Sequence, residues 1–376
     1  MMHYDAIIVG MGIMGCAVAA RLTQAGLSVL CLEQYELDNK RNSSHGQTRL
    51  FRLSYFEDSR YVPLLKEALV DWQDINRVTD GKILSLNGLL IAGDLMSSQT
   101  LKGVLSSASE YDLDVNILKG SECSELVSGL KVPSVWTGIL DRQAGFLDLD
   151  KSLQYFLEVL RSHSGQILEN TLMESFKEHD SGVEVTTSKD VFSCSHLVVT
   201  AGSWLNSIVG GKYPLEIEMN LQYWFKSRNS ENLSADAPAF AFDTPDGFYY
   251  GVPQYGTERL VKIGRHKTGF LLDNPEQLLQ DSRSNLSEIQ SVIEKYLPGV
   301  VPEVIREEPC LYTNSPDGHF IMEALPDHQR VIVAGGFSGH GFKFAPVVGS
   351  IIRKMVLEEP LPEVLELFKH SRFQNM

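Results

Sequence analysis

The 376 residues are 43% hydrophobic and 22% charged, an ordinary globular balance, and the length exceeds what one simple core needs, so two domains are expected. A formal net charge of −15 argues against duplex DNA or an anionic membrane as a partner. Five scattered cysteines (Cys16, Cys31, Cys123, Cys194 and Cys310) show no CxxC spacing. They argue against a disulfide framework and a structural zinc site, and for a reducing, cytoplasmic setting.

The chain opens on "YDAIIVGMGIMGCAVAARLTQAGLSVLCLEQ". No apolar run here reaches the ~18 residues of a membrane span, and Asp5 rather than a basic segment precedes it, so it reads as retained structure. Ala6 to Val9 is a short continuous apolar run, as expected of a strand covered on both faces. Gly10, Gly12 and Gly15 form GxGxxG, Cys16 to Gln24 continues as a helix, and Gly26 is placed to cap it. Ser28 to Leu32 reads as the next strand, ending in Glu33. Gly10 permits the tight turn, Gly12 the approach of a pyrophosphate, and Gly15 close helix–strand packing, while the helix N-terminus offers free N–H groups to phosphate. An acid at Glu33 suits a ribose hydroxyl, which favours FAD or NAD over NADP.

A simple NAD domain would go on alternating strands and helices. This chain turns instead to the polar, basic "NKRNSSHGQTRLFRLSYFEDSRYVPL", where Arg41, His45, Arg49 and Arg52 fall close together. Arg49 and Arg52 stand at i, i+3 and on a helical turn would share one side. "HLVVTAGSWLNSI" is a second strand–glycine–helix unit, with Gly202 and Trp204 at its turn, and "RVIVAGGFSGHG" is a third, leading to a helix with Pro346 in its first turn. Three such units suggest one parallel-sheet domain returned to twice. The stretches near 83–145 and 212–312 alternate as antiparallel strands do. In "LVKIGRH", Lys262, Gly264 and His266 share one face, with Val261, Ile263 and Arg265 on the other. Gly264 would leave room for a flat ring, and "LQYWFKS" and "FAFDTPDGF" are expected to shape a pocket.

"SHGQTRLFR" with "YVPL", then "GFYYGVP", "LVKIGRH", "EEPCLYTNSPDGHFI" and "GFSGHGFKF", resemble the monomeric sarcosine oxidase and N-methyltryptophan oxidase family, in the family's order from Gly10 to Phe344. The resemblance implies an α/β fold: a glutathione-reductase-type FAD-binding Rossmann domain (1–82, 146–211 and 313–376) with an inserted substrate domain (83–145 and 212–312) holding a large antiparallel or mixed sheet. It implies a monomeric oxidase of secondary amino acids, which passes a hydride to flavin N5, leaves an imine to hydrolyse, and returns the electrons to O2 as hydrogen peroxide. The implied cofactor contacts are Gly10, Gly12, Ile13, Met14, Gly15, Glu33, Gln34, Arg41, Ser44, His45, Thr48, Arg49, Met173, Gly202, Trp204, Gly339, His340, Gly341, Phe342 and Lys343. Cys310 matches the covalent flavin link.

Arg52 and Lys343 would clamp the substrate carboxylate. Tyr250 and His266 would border the substrate, Arg49 would lie beside the flavin, and Lys262 would activate oxygen through its charge. Ser44 and Gln47 depart from the family's His and Asp; Ser44 would lie near the flavin, leaving its tuning and attachment open. The alternatives are a glycine-oxidase-like, pipecolate- or proline-type oxidase or dehydrogenase, and a flavin-binding protein without turnover. Lys262 favours the oxidase.

Overall fold

A computed structural model describes residues 2–375. Its first strand, His3–Val9, is buried on both faces because it lies between two parallel neighbours, Val29–Leu32 (Ala6 opposite Val29) and Val191–Val199 (Ile7 opposite Leu197). Val331–Gly335 extends the parallel set beyond Val191–Val199, and Gln166–Leu168 extends it beyond Val29–Leu32. The three strand–glycine units read from the sequence thus share one eight-stranded sheet, completed by Met173–His179, Gly182–Thr187 and Ile321–Ala324.

The first helix spans Ile13–Gln24, three residues earlier than its apolar run suggests, because it starts directly from the glycine turn. A Cβ on Gly15 would lie 1.9 Å from the Gly10 carbonyl oxygen, so only glycine lets this helix sit on the strand. Gly26, with φ of 85°, ends it. Ala345–Val356 packs against the same helix, where a Cβ on Gly349 would meet the Ala17 carbonyl at 2.8 Å.

The second sheet has nine strands. Its spine is Glu216–Ser227, paired antiparallel with Val300–Asn314 on one side and Leu260–His266 on the other, with Gln222 opposite Gly264 and Trp224 opposite Lys262. One face, carrying Tyr223, Phe225, Tyr249, Val261 and Ile263, packs with the helix Leu286–Tyr296 into a separate core. The sheet is mixed: Ala239–Thr244 runs parallel to Leu89–Gly93, since the chain between them returns through the first sheet. A small third sheet, Thr48–Phe51 with Leu84–Ser85 and Gly145–Asp148, lies where the chain crosses between the two. The five cysteines are unpaired and buried, and among the described residues no helix is long and apolar enough to cross a membrane.

Candidate active site

The carboxyl ends of the parallel strands open on one cavity, lined there by Val9, Gly10, Leu32, Glu33, Thr200 and Gly336. That edge of an open α/β sheet is where such folds take ligands. Gly12, Ile13 and Met14 face the cavity from the helix start. The Ile13 N–H donates to Ser44 Oγ at 3.0 Å, so Ser44 stands against the glycine turn and faces the cavity there. Glu33 accepts the N–H of Met11 at 2.9 Å and of Tyr35 at 3.1 Å, and burial pushes its carboxyl up. Gln34, Met173, Gly202 and Trp204 also face the cavity. Tyr35 and Glu276, which carry no motif, join this end: Glu276 accepts from the Tyr35 hydroxyl at 2.8 Å and the Trp204 indole at 2.9 Å. Arg41 lies 3.5 Å from Glu276 and stacks on Tyr35 outside the lining. Gly15 and His45 also lie outside it, Gly15 inside the helix–strand contact and His45 with Nδ1 3.6 Å from Glu308.

The cavity runs on to the second sheet. Arg49 lies on a strand and not on a helical turn; Arg52 shares its cavity because the strand ends at Phe51. Arg49 Nη2 donates to the carbonyls of Ser43 (2.8 Å) and His45 (2.6 Å) and lies 3.7 Å from Cys310 Sγ, itself buried and facing the cavity. Lys262 Nζ donates to the carbonyls of Gly46 (2.7 Å) and Thr48 (2.9 Å). Burial, then Arg49, hold its ammonium well below the ordinary range. Strand alternation brings His266 to the same face, where burial lowers its pKa to about 4 and leaves it neutral. The space beside Gly264 is taken by the ring of Tyr250, whose hydroxyl would lie 2.9 Å from a Cβ there.

Gly339, His340, Gly341, Phe342 and Lys343 reach the cavity from the turn before the Ala345 helix. Lys343 Nζ donates to the His340 carbonyl at 2.7 Å. Burial and Arg52 lower its pKa to about 7, against the pull of Glu57. His340 is neutral, lowered to about 3 by burial. Arg52 lies between the rings of Tyr55 and Phe56 (4.2 and 4.0 Å) and reaches both oxygens of Glu57, at 2.5 and 2.6 Å. Burial works to raise the Glu57 pKa, but Arg52, then His340, bring it down to about 2. Glu57, unsignalled in the sequence, is therefore an ionised partner of Arg52.

Three buried side-chain groups of cavity residues have no hydrogen-bond partner among the described residues: Thr48 Oγ1, Asn220 Nδ2 and Gln222 Nε2. Buried polar groups call for partners, and the carbonyl oxygens and ring nitrogens of a flavin are of the kind these three could pair. The helix N-terminus, Glu33 and this polar trio suit the two ends of a flavin dinucleotide, and Thr48, Asn220, Gln222, Arg49 and the Gly339–Lys343 turn would hold its ring.

Fold and cavity together suit a dinucleotide-dependent oxidoreductase, the cavity being lined by Arg49, Arg52, Lys262 and Lys343. Residues 5–355 match the FAD dependent oxidoreductase family (DAO). The chain is 30% identical to monomeric sarcosine oxidase from Bacillus sp. (strain B-0618), over 98% of this chain and 96% of that one. It is 31% identical to N-methyl-L-tryptophan oxidase from Yersinia pestis (strain Pestoides F), over 99% and 100%. Among solved structures it is similar to the Tyr258Phe mutant of NikD, an amino acid oxidase of nikkomycin biosynthesis (TM-score 0.88, 19% identity, 98% and 97% coverage), and to L-proline dehydrogenase from P. horikoshii (TM-score 0.85, 19% identity, 100% and 98% coverage). The chain belongs to the DAO family of FAD-dependent oxidoreductases, among the relatives of monomeric sarcosine oxidase and N-methyl-L-tryptophan oxidase. Its cofactor is FAD.

Proposed function

We propose that this enzyme oxidises secondary (N-methyl or cyclic) amino acids with O2 as electron acceptor, acting as a monomer in a reducing compartment, with residues 1–82, 146–211 and 313–376 as the FAD domain and the remainder as the substrate domain. The observation that carries the reading is the meeting of Arg52 and Lys343 with neutral His266 and Tyr250 in one cavity that also holds a buried lysine, Lys262. Bound FAD supplies the two-electron acceptor.

Arg52 and Lys343 bind the substrate carboxylate, Arg52 with the N–H groups beside the Nη2 that stays on Glu57. Neutral His266 and Tyr250 border the amine and favour its uncharged form, since neither adds charge to a buried site. Lys262 faces incoming oxygen. Burial leaves its proton readily shared, so negative charge arriving beside it would draw that proton on to the amine. Cys310 is the proposed covalent attachment point, supported by its burial against the cavity beside Arg49. A dehydrogenase would share the clamp but have no use for Lys262.

Incubating the holoenzyme with N-methyl amino acids, proline and pipecolate and assaying hydrogen peroxide tests the reading. Peroxide in step with amine consumed is expected. Flavin bleaching without peroxide on return to air would instead establish a dehydrogenase.

A further inference from the structure

Past the clamp, the cavity continues into a chamber walled by Leu50, Phe56, Leu89, Ile91, Ala241 and Phe248. None of these six side chains carries a polar atom. Leu89, Ile91 and Ala241 come from adjacent strands, Ala241 opposite Ile91, and are each 1% exposed, so this wall is firm. Phe56 is seated against helix Gln99–Tyr111, where a Cβ on Gly103 would fall 2.8 Å from the Phe56 carbonyl oxygen.

The chamber adjoins the clamp directly. The Arg52 guanidinium lies 4.0 Å from the Phe56 ring centroid, Phe56 and Phe248 stand 5.5 Å apart, and Phe248 meets His266 edge-on at 6.2 Å. A substituent on an amino acid held by Arg52 and Lys343 would therefore extend toward the two phenylalanines. Glu57 also faces this end, but both its oxygens are held by Arg52.

We infer, building on the reading above, that the preferred substrate is a secondary amino acid bearing an apolar group much larger than methyl, and that Phe56 and Phe248 are its specificity-determining residues. A polar substituent would lose its water with no partner in the wall. A glycine derivative would leave the apolar chamber unfilled, and each added methylene of a fitting group raises selectivity by about tenfold or more.

The test has two arms on the FAD-loaded enzyme. The first compares kcat/KM for N-methylglycine, N-methylleucine, N-methylphenylalanine and N-methylaspartate. The second compares binding of acetate, butyrate and hexanoate through the perturbation of flavin absorption, which needs no turnover. N-methylleucine or N-methylphenylalanine should exceed N-methylglycine and N-methylaspartate by about tenfold or more, with hexanoate tighter than acetate. Phe56→Ala and Phe248→Asn should each shrink both ratios; should one variant fail to fold, the other still decides. Equal kcat/KM for N-methylglycine and N-methylleucine with equal binding of acetate and hexanoate would overturn the inference while leaving secondary-amine oxidation intact. Tighter hexanoate without turnover of any N-methyl amino acid would uphold the apolar chamber and sink the proposed function.

Discussion

Lys262 spends its hydrogen bonds on two backbone carbonyls, Gly46 and Thr48, and among the described residues pairs with no carboxylate, so its proton would answer to charge arriving in the cavity. Lys262→Met keeps the volume and removes that response. Reduction of the holoenzyme by amine without air should stay near wild type, while its reaction with oxygen slows by roughly a thousandfold, the equivalent of ~4 kcal/mol. Stopped-flow mixing separates the two; a collapse of the amine half would move Lys262 to the amine side. Arg52→Met should weaken carboxylate inhibitors by about 2–5 kcal/mol, the scale of breaking a desolvated charge pair. Lys343 adds a pH signature. With its pKa lowered to about 7, it is charged below that value and neutral above, so inhibitor carboxylates should bind tightest in mild acid and lose affinity as pH rises through 7. Lys343→Met should flatten that slope; an unchanged slope would assign it to another group.

Among the elements, the glycine turn and the Lys262 strand were the most legible, each for a stated physical reason. A glycine whose Cβ would fall 1.9 Å from a carbonyl has no alternative, and strand alternation obliges Lys262 and His266 to share a face while Val261 and Ile263 enter the core. Gly15→Ala should cost at least about 1–3 kcal/mol as overpacking and lower FAD content together with the melting temperature. Normal melting and full flavin would contradict the packing argument. That Asn220 and Gln222, at the start of the "LQYWFKS" strand, are the residues facing the cavity was not legible, because side-chain direction depends on register, and register is set by pairing with distant Leu260–His266. The i, i+3 spacing of Arg49 and Arg52 puts them on one side only in a helical turn, and it says nothing of the strand partner, Gly145–Asp148, that extends Arg49.

At the scale of the whole molecule, two sheets meet over one cavity, and its contributors come from residues far apart in the chain. That explains what the sequence concealed. Glu276 reaches Tyr35 and Trp204 from more than seventy residues beyond either, and Glu57 declares itself only once Arg52 is seen holding it. The motif-bearing residues could be read because each has a local backbone or charge requirement; the residues that close the cavity have none. Cys310 belongs to this scale too, since it sits on the long Val300–Asn314 strand yet faces Arg49 and Ser43 across the sheets' junction. Acid precipitation of the loaded protein should leave the yellow colour in the pellet, and Cys310→Ala should release it to the supernatant. Colour free in the wild-type supernatant would remove the thioether.

In the proposed reaction one cavity joins a carboxylate clamp to an oxygen-facing lysine around FAD. Mixing the holoenzyme with N-methylleucine in the absence of air, then admitting air and assaying peroxide, tests it most directly. Loss of the oxidised-flavin absorbance is expected on the first mixing, and its return with one peroxide per amine consumed on the second. Flavin that stays oxidised throughout with every secondary amino acid, in a fully loaded sample, would contradict it.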